Sequence, residues 1–168
     1  LVSLAWMIAL IVDALSDPLI GYLSDNTRSR WGRRHPFMYA AALPAAIAYY
    51  FVWNPPSGLE GDALFPYIVT IAVVVRTLVT VYEIPSSSLV AEMSDDYDER
   101  TSMLSYRYFF GWTGGTLMGA FATIFILVPT TTISNGMFNV QGHGQVGAIA
   151  AMVIFVAMIV STMGTHKM

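Results

Sequence analysis

Residues Leu1 to Leu23 form an apolar run long enough to cross a bilayer, and the run carries two carboxylates, Asp13 and Asp17. A segment that spans lipid must satisfy its own backbone polar groups, so this one has to be a helix. A charge at the centre of such a helix costs about 2.5–3.5 kcal/mol on insertion scales. Two on one span need a reason. Residues four apart share a helix face, so Asp13 and Asp17 point the same way, toward protein or water and away from lipid. The natural occupant of that face is a cation. The run ends in a short basic loop with Arg28, Arg30, Arg33 and Arg34, joined by His35 when protonated.

The rest of the chain repeats the pattern of long apolar blocks and short polar links. Only 11% of its 168 residues are charged, against about 25% in soluble domains. The expectation is an all-α, multi-pass membrane protein with five spans, at about 1–23, 37–53, 65–90, 105–128 and 145–163. Pro44 is expected to kink the second span, and Pro85 with Ser86–Ser88 to interrupt the third. Tyr49, Tyr50, Phe51 and Trp53 form an aromatic belt at the end of the second. The chain lacks cysteine, so disulfide, thiolate-zinc and thiol chemistry are excluded. It starts within a span and without Met, and is expected to be a piece of a longer protein whose remaining helices complete it. The bilayer and a small-molecule substrate are the implied partners. Neither nucleic acid nor an organic cofactor is implied.

Sidedness follows from the cations. Arg28, Arg30, Arg33, Arg34 and Arg100 lie in alternate links, Arg107 lies just inside the fourth span, and Lys167 lies in the tail. The links Asn54–Leu64 and Pro129–Gly144 have no Lys or Arg. The basic links are therefore expected in the cytoplasm, with all five spans alternating. Pro129–Gly144 reads as an external turn, and its His143 as a solvated loop residue. Glu92–Arg100 reads as an acidic cytoplasmic loop or the polar end of a helix.

Inside the membrane the third span adds Arg76 and Glu83, and the fourth adds Arg107. Three carboxylates face two guanidiniums, leaving one negative charge. Carboxylate and hydroxyl oxygens suit hard ions, so Na⁺ or H⁺ is the expected coupling ion. Asp13 and Asp17 are the candidate ligands, the metal ligands if the ion is Na⁺, and Ser16 and Thr80 are the nearest hydroxyls. Arg76 and Glu83 share a face about 10 Å apart along the axis. In the fourth span Gly111, Gly115 and Gly119, with Gly114 beside them, are spaced as in tightly packed helix pairs.

The stretch Asp13-Ala-Leu-Ser-Asp17-Pro18 through Gly21, Asp25, Arg28, Gly32, Arg33, Arg34 and Pro36 resembles the second helix and following loop of the glycoside–pentoside–hexuronide:cation symporters. These belong to the major facilitator superfamily, and the melibiose carrier is the best-known member. Glu83-Ile84-Pro85 resembles that family's fourth helix, and Glu99-Arg100 with Tyr106-Arg107 its fifth. The resemblance covers nearly all 168 residues. It implies a major facilitator fold, with this chain as helices two to six of twelve and most of an N-terminal six-helix half. It further implies a coupling-cation site at Asp13, Asp17 and Thr80. Sugar-binding roles fall to Glu83 and Arg107. Gly21, Asp25, Arg28, Gly32, Arg33 and Arg34 become the cytoplasmic loop motif that gates the carrier. Leu10, Val79 and Ser87 stand where the melibiose carrier has Arg, Tyr and Trp, so the cation site looks kept and the sugar pocket altered.

The expected function is secondary active symport of a sugar or glycoside with Na⁺ or H⁺ across a bacterial-type inner membrane, by alternating access. Its alternatives are a carrier of a non-sugar solute, such as a lipid or drug, and an uncoupled facilitator. An aspartyl hydrolase needs two carboxylates facing one another, usually from different helices, and here they share one helix. No enzyme activity is expected. A channel would want a charged ring or pore-lining repeat, and neither is present.

Overall fold

A computed structural model describes residues 2–59, 61–129 and 135–166. Five long helices carry the fold: α1 Val2–Asn26, α2 His35–Trp53, α3 Leu64–Met93, α4 Tyr97–Phe121 and α5 Val140–Thr165. All five are long and apolar enough to cross a membrane. Short 3₁₀ turns cover Gly61–Ala63 and Gly136–Phe138, and a π turn, Ala122–Ile126, continues α4. No strand occurs among the described residues. The alternation expected from the cations is reproduced in the links. Arg33 bonds Glu92 at one end of the bundle, while Asn54 Nδ2 donates to the Gly144 carbonyl at the other.

α2 is the central post, packed on α3 and α5, and α1 lies along the far side of α3. The reason is in the α2 sequence. Met38, Ala41, Ala42, Ala45 and Ala48 line its buried face, and methyl-sized side chains let neighbouring backbones come close. Ala42 and Ala45 meet Met158 of α5, with Leu78, Tyr82 and Phe155 packed around them. At the far end a Cβ on Gly147 would overlap the Trp53 side chain, so only glycine permits this α2–α5 approach. α4 stands apart. Over Tyr97–Phe121 it has no buried residue, and it touches the bundle chiefly at α3.

Several boundaries depart from expectation. α4 begins at Tyr97, not near Ser105, because Asp96 caps it: its Oδ1 accepts from Asp98 N at 2.8 Å and Glu99 N at 3.1 Å. Asp98 and Glu99 then sit in the first turn, where the helix dipole favours anions. The acidic stretch is thus mostly the end of one helix and the start of the next. α5 begins at Val140, not Gln145, with Asn139 Oδ1 accepting from Gly142 N at 3.0 Å. His143 is therefore helical and stacks on Trp53, ring centroids 5.8 Å apart; it is no solvated loop residue. α3 runs unbroken through Pro85. That residue is buried, and the expected interruption is absent. α2 also stays helical through Pro44, where a kink and not a break is expected.

Candidate functional site

α1 and α3 lie side by side in a fixed register. Asp13 bonds Arg76, and a Cβ on Gly21 would meet Ile84 at 3.7 Å; both pairs are 63 positions apart. At that offset Asp17 falls level with Thr80. Asp13 is buried and takes two donors, the Arg76 guanidinium and the Thr80 hydroxyl at 3.3 Å. Arg76 thus pairs across to another helix, and the Thr80 hydroxyl lies on the same carboxylate. Ser16 does not join: its hydroxyl donates to the Asp13 carbonyl at 3.2 Å, within α1. Asp17 differs from Asp13. Its Oδ1 is buried with no hydrogen-bond partner among the described residues.

One and two turns further along α3 the chemistry changes. Glu83 is 59% exposed at its side chain, and Arg107 of α4 holds it only loosely, Nη2 to Oε1 3.7 Å. Arg107 Nη1 donates to Ser87 Oγ at 2.6 Å. These charges border a cleft of about 530 Å³ between α3 and α4, whose other walls include Tyr108, Trp112, Gly111 and Gly115. Among the described residues these glycines face no neighbouring helix, so the close packing that their spacing predicts is not seen within this chain. A Cβ at Gly111, Gly115 or Gly119 would meet nothing within 4 Å, so two of them widen the cleft instead. Trp112 is 79% exposed. Neither Tyr108 nor Trp112 was among the expected site residues. Their spacing of four, on the face that follows Arg107, is the signal that could have found them.

The profile of the MFS/sugar transport protein family matches residues 1–168. This chain belongs to that family. Its relatives are carriers rather than enzymes. It is 38% identical over 125 residues to an uncharacterized symporter of Synechocystis, covering 71% of this chain and 23% of the relative. It is 28% identical over 168 residues to the isoprimeverose transporter of Lactiplantibacillus pentosus, covering 96% and 34%. It is 34% identical over 99 residues to the sodium-dependent lysophosphatidylcholine symporter 1 of Mus musculus, covering 56% and 18%. The chain therefore spans about a third or less of the relatives' length. The match agrees with the glycoside–pentoside–hexuronide symporter resemblance and the major facilitator fold. With five span-length helices it makes this MFS/sugar transport chain an integral, multi-pass protein of the bacterial inner-membrane type.

The basic loop of this MFS/sugar transport chain is tied down by two carboxylates. Arg34 Nη2 bonds Asp25 Oδ1 at 2.9 Å and lies 3.4 Å from Glu92 Oε1, which also accepts from Arg33 Nη2 at 2.9 Å. The link thereby joins α1, α2 and α3. Gly32 takes a φ of +90° to turn it, a conformation that suits glycine. A Cβ at Gly21 would make only ordinary contact with Ile84 of α3, and Arg28 is exposed. Among the described residues no three His, Asp or Glu side chains gather as metal ligands.

Proposed function

We propose that the full-length carrier moves a sugar or glycoside by symport with Na⁺ or H⁺ through alternating access. The observation that supports this most is the unpartnered, buried Oδ1 of Asp17. A buried carboxylate oxygen without a donor has lost its water and gained nothing in return. Among the described residues Asp13 pairs with the Arg76 guanidinium and Asp17 with no cation, so the two carboxylates carry one surplus negative charge. A cation or proton on Asp17 supplies the missing partner. Na⁺ there also competes with Arg76 for Asp13. Arg76 is 41% exposed at its side chain among the described residues, which leaves it room to move off Asp13 when the ion loads.

Coupling then runs along α3. Thr80 and Glu83 follow Arg76 at helical spacing on one rigid element. A change in what holds Arg76 and Thr80 repositions Glu83 against Arg107. Glu83 accepts hydrogen bonds from sugar hydroxyls and Arg107 donates them, while Trp112 offers a flat apolar face to a pyranose ring. The isoprimeverose transporter is a relative in keeping with this chemistry.

The test is uptake by the full-length carrier in vesicles, with a panel of sugars and lysophosphatidylcholine under imposed Na⁺ or H⁺ gradients. The proposal expects a glycoside to accumulate under one of the two gradients. Sugar movement indifferent to both would contradict coupling. Uptake of lysophosphatidylcholine alone would contradict the sugar assignment.

A further inference from the structure

The basic loop does more than brace the helices. Where it meets the ends of α3 and α5 it closes a cavity of about 560 Å³, lined by Arg30, Arg33, Arg34, His35, Glu92 and His166 among others. Three guanidiniums face one lining carboxylate. Even with Asp25, which bonds Arg34 from outside the lining, a positive charge remains. Arg34 shows the shortage of acceptors directly. Its Nη2 is bonded, but its Nε and Nη1 are buried with no hydrogen-bond partner among the described residues. Two imidazoles add further donors. The His35 and His166 rings meet edge to face at 4.9 Å, and Thr165 Oγ1 lies 3.4 Å from His35 Nε2.

The surface beside this cavity is apolar and runs toward the membrane centre. Trp31 and Tyr39 pack at 5.7 Å, and Tyr39 and His166 at 5.9 Å, around a small side pocket. Tyr39, Leu43, Ala46 and Tyr50 follow at helical spacing on α2. The last three line a groove against Ala148, Met152 and Phe155 of α5, walled by apolar surface alone. A cationic cavity at the cytoplasmic end, aromatic side chains at the interface and an apolar groove above them match one molecule in all three parts. Basic pockets between helices on the cytoplasmic side suit anionic lipid headgroups, and each nearby Lys or Arg contributes about fivefold in affinity.

We propose that this α2–α5 seam binds one acidic phospholipid of the inner leaflet. Its phosphoryl group sits among Arg30, Arg34 and His166, and an acyl chain lies along Leu43, Met152 and Phe155. The phosphate oxygens accept from the Arg34 donors left without partners. The site is separate from the Asp17 and Glu83 chemistry and does not rest on the transport reading.

The test is native mass spectrometry of the purified full-length carrier with equimolar phosphatidylglycerol and phosphatidylcholine. Wild type is expected to retain phosphatidylglycerol selectively. Arg30→Gln, at an exposed position, is expected to lower the ratio of the two lipids about fivefold. Arg34→Gln is expected to abolish the preference. Equal retention of both lipids by wild type, or an unchanged ratio in both variants, would overturn the proposal. Displacement of the bound lipid by glycerol 1-phosphate at equal concentration would also overturn it, since the ligand would then be a soluble phosphoryl group.

Discussion

Asp13 on α1 and Arg76 on α3 close an ion pair across 63 positions of sequence, and the same offset sets Gly21 against Ile84. The pair divides two carboxylates that the sequence treats alike. Asp13 is compensated by a guanidinium and the Thr80 hydroxyl, while Asp17 keeps a bare buried oxygen. One aspartate joins two helices, and the other has an oxygen with no partner among the described residues, the one that the proposed symport assigns to the ion.

That division can be tested on stability. Removing the Arg76 guanidinium leaves Asp13 buried with Thr80 alone. We expect Arg76→Gln to cost about 1–3 kcal/mol. Asp13→Asn combined with Arg76→Gln should cost less than the sum of the single changes, because the uncompensated charge is gone. Thermal unfolding of the full-length carrier reads this, and strict additivity would count against the pair.

Two glycines predict opposite outcomes. A methyl at Gly147 meets Trp53, while one at Gly111 meets nothing within 4 Å. Gly147→Ala should therefore destabilise by about 1–3 kcal/mol through overpacking. Gly111→Ala, which meets no neighbour among the described residues, should stabilise by about 0.5–1 kcal/mol through helix propensity, yet alter transport because it narrows the cleft. Thermal unfolding beside uptake separates the two effects.

In the cleft, Glu83→Gln keeps the shape and removes a charged acceptor. A hydrogen bond to a charged group contributes about 1.5–3 kcal/mol, so the apparent substrate affinity should fall at least about tenfold. Trp112→Ala should weaken binding where Trp112→Phe largely preserves it. Substrate protection or binding titrations on the full-length carrier measure both.

At the basic-loop end, Arg34 draws on both Asp25 and Glu92 with an 11% exposed side chain. Asp25 is itself 58% exposed. Asp25→Asn alone should cost under about 1 kcal/mol. Adding Glu92→Gln should cost more than the sum of the separate effects, because the buried guanidinium then loses both partners. Additive unfolding shifts would argue against a shared role.

The helices were legible because a span needs about 20 apolar residues, a signal that survives without any partner. Their ends were less so. Asp96 and Asn139 extend α4 and α5 past the apolar windows with polar caps, outside what hydropathy registers. The charges themselves stood out, but the Asp13–Arg76 pairing did not, since no periodicity links two helices. The glycine stripe on α4 carries the spacing of a packing face; among the described residues no neighbour covers it, and Gly111 and Gly115 border the cleft. Pro85 suggested a break because its missing N–H removes one backbone bond; α3 absorbs that loss and stays helical.

The most direct test of the central claim compares two modes of transport by the Asp17→Asn carrier in proteoliposomes. Energised accumulation requires the coupling ion, whereas equilibrium exchange of labelled for unlabelled substrate does not require net ion movement. The account predicts that Asp17→Asn loses accumulation, its internal-to-external ratio falling to about one because nothing then ties substrate to the ion gradient, while exchange persists. Accumulation equal to wild type would contradict it and return Asp17 to a purely structural place in the bundle.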